Sequence, residues 1–228
     1  MAFCEDLNLN QQKKIEYPVT MKIQQLTVGM MSVCCYIISC EKTGKAAIID
    51  PGGDEEKILA ACKEDTLEVI YIINTHGHPD HVCSNGPLRK ATDAQIIMHR
   101  SDAEFFSTAD ARSYFSMLGL PESPPPDILV EDGEKIVIGE ESLTVIHTPG
   151  HTPGGICLYN KPNCFTGDTL FVGGVGRTDF PGGSMPQLSQ SIQERLLTLP
   201  PATVVWPGHG YGGFQSTIKD EAEDNPYF

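Results

Sequence analysis

The chain has 228 residues, 40% of them hydrophobic and 20% charged, with a formal net charge of −14. That length supports a buried core in one large domain or two small ones. The acidic field repels phosphate polymers and anionic lipid surfaces, and no apolar run approaches the roughly 20 residues of a membrane span, so neither nucleic acid nor membrane is an expected partner.

Residues 1–20 are polar and aperiodic, the texture of a disordered N-terminal extension, and 21–228 read as one domain. The first residues show no charged-then-apolar leader pattern. "MKIQQLTV" and "SVCCYIIS" predict two strands across a Gly-Met turn, and "AAIID" a third that ends in a turn at Asp50–Gly53. Asp54 is a candidate N-cap for a helix over "DEEKILAACKED". "LEVIYIINT" is a continuous apolar run, as in a strand buried on both faces. A helix ("NGPLRKAT"), a strand ("AQIIMH") and a second helix signal ("SDAEFFS") follow. Residues 107–127, with Pro121, Pro124, Pro125 and Pro126, form a candidate insertion or lid. Then come strand-like runs "KIVI", "LTVIHT", "GICLYN" and "NCFTG", an amphipathic helix "MPQLSQSIQERLLTL" and a last strand in "ATVVWPGHG". This order predicts an α/β (α+β) fold, a two-sheet sandwich covered by helices. The eight cysteines form no C-x-x-C pair, which predicts reduced, buried thiols and a cytoplasmic location.

The chemistry concentrates in "NTHGHPDHVCSNG", residues 74–86, at the C-terminal end of the predicted buried strand. Such strand ends are where α/β folds place ligands. His76, His78, Asp80 and His81 are borderline-hard donors suited to zinc, iron or manganese. In His76-x-His78 two rings can face one ion from a strand end, while Asp80 and His81 enter a helix turn and can reach a second. Three further strand-then-glycine turns each offer a donor: "TPGHTPGG" offers His151, "FTGDTLF" Asp168 and "WPGHG" His209. Together they make a ligand set for two metals that share one carboxylate.

The motifs "THGHPDH" (75–81), "HTPGHTPG" (147–154), "TGDTLF" (166–171) and "PGHG" (207–210) resemble the metallo-β-lactamase fold superfamily, and within it the short, single-domain glyoxalase II-like hydrolases. The resemblance runs from about Met21 to the C-terminus and implies a four-layer αβ/βα sandwich. By motif it assigns His76, His78 and His151 to one metal, Asp80, His81 and His209 to the other, and Asp168 to the bridge. His99 and His147 match no ligand position and read as structural. Oxygen- and nitric oxide-reducing members carry Glu where this chain has His78, and the secreted β-lactamases lack the bridging Asp.

The resemblance implies two divalent transition-metal ions, zinc before iron or manganese, and a small-molecule substrate, a thioester of the hydroxyacylglutathione kind. A hydroxide generated between the ions would attack the carbonyl, Asp80 would orient it or take its proton, and a thiolate would leave without acid assistance. Arg177, in the glycine-rich "GGVGRTDFPGG" (173–183), either binds a substrate carboxylate or pairs with Asp179 to hold the loop. The "GRTDF" segment also resembles the persulfide dioxygenases, which use one iron on positions matching His76, His151 and Asp168. That activity, and lactone or phosphoester hydrolysis, are the alternatives. The C-terminal helical domain by which full-length glyoxalase II enzymes grip glutathione has no expected counterpart, since one lysine, Lys219, follows His209.

Overall fold

A computed structural model describes residues 21–228. The predicted extension, 1–20, lies outside the described residues. The first half runs β1 (Met21–Val28), β2 (Val33–Cys40), β3 (Lys45–Ile49), α1 (Glu55–Glu64), β4 (Glu68–Ile73), α2 (Pro79–Val82), α3 (Asn85–Thr92), β5 (Gln95–His99), α4 (Arg100–Ser107), α5 (Ala109–Phe115) and β6 (Ile128–Val130). These strands form one six-stranded sheet in the order of their numbering. β1, β2 and β3 pair antiparallel, whereas β3, β4, β5 and β6 run parallel, each parallel step crossing over through at least one helix.

The second half runs β7 (Lys135–Ile138), β8 (Glu141–His147), β9 (Ile156–Asn160), β10 (Asn163–Gly167), the small hairpin β11 (Leu170–Phe171) and β12 (Gly174–Val175), then α6 (Met185–Ser191), β13 (Val204–Pro207), β14 (Ser216–Thr217) and α7 (Ile218–Asp224). Its six-stranded sheet has the order β14-β13-β10-β9-β8-β7. α6 continues as a π-helical turn over Ile192–Leu196, so "MPQLSQSIQERLLTL" is helical as the sequence predicts.

The two-residue period of the strands builds the layers. In β2, Cys34, Tyr36 and Ile38 enter a cluster with Leu143, Val145, Leu158 and Phe165 of the other sheet. Their neighbours Cys35 and Ile37 face the opposite way, against Ile58 of α1 and Leu88 of α3. The second sheet repeats the device: Ile146, Cys157 and Cys164 turn outward onto Leu188 and Ile192 of the α6 helix and Ile218 of α7. Helices, sheet, sheet and helices therefore stack as the αβ/βα sandwich. Each fully buried large apolar side chain contributes about 1.5–3 kcal/mol.

The seven cysteines among the described residues are free and buried. No helix among the described residues is long and apolar enough to cross a membrane. Two predicted details differ. Asp54 adopts φ 52° and makes no side-chain cap; its carboxylate accepts from the Gly29 N–H instead. The 107–127 segment holds α5, a short 3-10 turn at Ser116–Leu118 and the proline run, and leads into β6, a strand too short to announce itself by alternation.

Candidate metal centre

The parallel strands β3, β4 and β5 end at one edge of the first sheet, and β8, β10 and β13 end beside them in the second. Backbone bonds stitch the two sheets together there. The Cys34 N–H donates to the Gly208 carbonyl (2.8 Å) and the Ile156 N–H to the Thr75 carbonyl (2.8 Å). The turns leaving these strands carry the predicted donors, and they converge although they lie up to 133 residues apart, from 76 to 209.

His76, His78 and His151 form one group, and Asp80, His81 and His209 a second; within each group the donor atoms lie within 4.8 Å of one another. His151 Nε2 is 2.9 Å from His78 Nδ1 and 3.3 Å from His76 Nε2. His81 Nε2 is 3.2 Å from His209 Nε2 and 3.6 Å from Asp80 Oδ2. Asp168 spans the two groups: Oδ1 is 3.5 Å from His81 Nε2, and Oδ2 is 3.5 Å from His151 Nε2 and 3.6 Å from His209 Nε2. All seven ligands predicted from the sequence are thus brought together. Asp168 Oδ1 is buried and has no hydrogen-bond partner, which is what an oxygen reserved for an ion looks like.

The outward-facing nitrogens fix the tautomers. His151 Nδ1 donates to the Arg177 carbonyl (2.7 Å) and His209 Nδ1 to the Met31 carbonyl (3.1 Å). His81 Nδ1 donates to Asp50 Oδ2 (3.1 Å). His76 Nδ1 donates to Thr75 Oγ1 (3.1 Å), which itself donates to Asp50 Oδ2 (2.6 Å). Each of these four rings directs its Nε2 toward the centre, the arrangement that orients histidine ligands in metal sites. His78 is the exception. Its Nδ1 faces inward, and its Nε2 is buried without a polar partner while the ring is bordered edge-on by Phe106 and Phe180 and at a tilt by Phe115.

Electrostatics match a cation-binding centre. Burial, reinforced by neighbouring imidazoles, pushes His76 and His78 well below the ordinary histidine range, so both present neutral nitrogens. Burial also acts downward on His81, but Asp168, Asp80 and Asp50 outweigh it and raise the ring to about 10. Three carboxylates thus concentrate a demand for positive charge at one point. Burial would raise Asp80, yet His81 and His209 hold it far below the usual carboxylate range, ionised and ready to ligate or accept a proton.

Two further residues, neither of them marked as a ligand by the sequence, organise this centre. Asp50 has φ 50°, sparsely populated outside glycine, and its carboxylate accepts from the Thr75 N–H (2.7 Å), the Thr75 hydroxyl and His81. Asp102, in the first turn of α4, is wholly buried; it accepts from the Gly77 N–H (2.8 Å), the Thr152 hydroxyl (2.8 Å) and the Gly154 N–H. It ties the His76–His78 turn to the His151 turn. The only sequence signal for Asp50 was its place in a strand-ending "DPGG" turn, and nothing marked Asp102 beyond a cap signal.

Arg177 pairs bidentately with Asp179 (2.7 Å at both nitrogens) and lies 3.7 Å over the Phe180 ring. His99 and His147 stand apart from the centre, stacked on each other at 4.1 Å.

The profile of the metallo-beta-lactamase superfamily matches residues 28–209, a span that contains every donor described above. Hydroxyacylglutathione hydrolase GloC of Haemophilus influenzae is 33% identical over 211 residues, covering 91% of this chain and 98% of its own. The crystal structure of TTHA1623 in a di-iron-bound form shares 34% identity at a TM-score of 0.79, covering 90% of this chain and 100% of its own. That of ETHE1 from Myxococcus xanthus shares 32% at a TM-score of 0.77, covering 90% and 83%. Fold, site geometry and these matches agree: the chain belongs to the metallo-beta-lactamase superfamily, among its metallo-hydrolases.

Proposed function

We propose that the chain is a two-metal thioester hydrolase. The observation that carries this reading is the Asp168 carboxylate, which reaches toward both histidine groups with one oxygen left unpartnered. His76, His78 and His151 would hold one metal, and Asp80, His81 and His209 the other, with Asp168 shared. When bound, a metal pair supplies Lewis acidity toward a carbonyl oxygen and hydroxide at neutral pH.

The chain's own residues do the rest. Asp80, held ionised by His81 and His209, orients the attacking water and takes its proton. Asp50, through Thr75 and directly on His81, keeps one ring of each group in register. The Arg177 carbonyl holds the His151 ring, so the 173–183 loop supports the centre while its guanidinium, freed from Asp179, can take a substrate carboxylate. A thiolate leaves without a proton donor, so the reaction asks for no further acid. The kinship with GloC supports a hydroxyacylglutathione-like thioester.

The test is elemental analysis with an assay on S-lactoylglutathione. Two transition-metal ions per chain and metal-dependent hydrolysis are expected. The resemblance of the GRTDF segment to the persulfide dioxygenases keeps one competing reading, a mononuclear iron enzyme using His76, His151 and Asp168. One iron per chain, oxygen uptake on glutathione persulfide and no hydrolysis would establish that reading instead.

A further inference from the structure

The 107–127 segment roofs a cavity of about 180 Å³ beside the metal centre. Val82, Met98, Phe106, Phe115, Leu120 and the Pro124–Pro126 run supply its apolar lining. Gly77 and Pro79, which alternate with the candidate ligands His76, His78 and Asp80, complete it. Its charged lining residues, Arg112 and Glu122, are both exposed, so no charge is enclosed.

The cavity and the centre share a wall. Phe106 and Phe115 line the cavity and also border the His78 ring, with centroids 5.5 and 5.1 Å away. Both aromatic side chains thus face the cavity and the His78 ring. Tyr114, Met117 and Leu118 on the same segment remain exposed and extend the apolar surface outward. An apolar cavity of about 150 Å³ accommodates benzene.

We infer that this cavity receives an uncharged apolar arm of the substrate, an aryl ring or a chain of about six carbons. The inference rests on the thioester hydrolase reading for the bond that is cut. The apolar group belongs to either the acyl or the thiol side, and two substrate series separate these sources.

The full chain, loaded with zinc, is assayed on acetyl, hexanoyl and phenylacetyl thioesters of N-acetylcysteamine, and on acetyl thioesters of ethanethiol, hexanethiol and benzyl mercaptan. In one series kcat/KM rises about tenfold or more with the apolar arm. Ser116→Trp, at an exposed lining position where an indole fills the space, removes about tenfold of that gain, and Ala111→Phe, at a buried lining position of the same segment, does the same. Flat kcat/KM along both series, or the full gain retained in both variants, overturns the inference. If no thioester turns over, the hydrolase reading fails, and calorimetry with S-hexyl- and S-methyl-N-acetylcysteamine thioethers decides the cavity by itself. Tighter binding of the hexyl compound, lost in Ser116→Trp, supports the cavity's role; equal binding of the two overturns it.

Discussion

At the scale of single residues, the candidate centre divides into donors and the groups that aim them. The donors were legible in the sequence because metal ligands need particular side chains at close spacing, and His76, His78, Asp80 and His81 are adjacent. Asp50 and Asp102 were not legible, because an acceptor of backbone N–H groups is defined by where the fold brings those groups. Asp168→Ala removes the carboxylate that reaches both groups, so metal content falls to one ion or fewer per chain and kcat/KM by at least about 100-fold. Two ions retained, by elemental analysis, would show that the bridge is misassigned. Asp102 gives a pH signature. Burial raises its carboxyl to about 6, against the Thr152, Gly154 and Gly77 hydrogen bonds that lower it. The folded state therefore holds this proton more tightly than the unfolded state, and stability falls as pH rises from about 4 to about 6. Asn cannot titrate, so the stability of wild type relative to Asp102→Asn declines over that window by up to about 3 kcal/mol. Urea midpoints at pH 4.5 and 7 check this; a difference independent of pH contradicts it.

At the scale of elements, the strands were the most legible part. Their alternation survives in the structure, and "LEVIYIINT" supplies β4 between two buried neighbours. The short pieces were not legible: β6, β11, β12 and β14 have two or three residues each and depend on strands already in place. The donor-bearing turns depend on close approach of backbone. A Cβ at Gly208 would stand 2.2 Å from Asp168 Oδ1. The Gly167 carbonyl carbon lies 2.9 Å from that Cβ as well, so Gly208→Ala displaces the Asp168 carboxylate together with the Gly167 backbone that carries it, without deleting a ligand. We expect about a 100-fold loss of kcat/KM with an unchanged far-ultraviolet circular dichroism spectrum. Wild-type activity in this variant would mean that the carboxylate position is not critical. The segment 107–127 was predicted as an insertion or lid; in the structure it holds a helix and a proline run that line the cavity beside His78.

At the scale of the whole molecule, the two sheets meet through the apolar cluster of their inner faces and again at the centre. His76, His78, Asp80 and His81 hang from the first sheet, and His151, Asp168 and His209 from the second. Ions bound there act as cross-links between the halves. A ligand at 1,000 times its dissociation constant adds about 4 kcal/mol to the folded state. Chelation should therefore lower the melting temperature by about 10 °C for a chain of this size. A chelator-insensitive melting curve would contradict a centre shared by both sheets. The same distribution orders events during synthesis. Of the seven donors His209 leaves the ribosome last, after both sheets have received all their strands but β14, so a nascent chain cannot complete the second group any earlier. With the proposed ligand set, tight metal uptake would mark a chain whose two halves have both emerged and closed on each other.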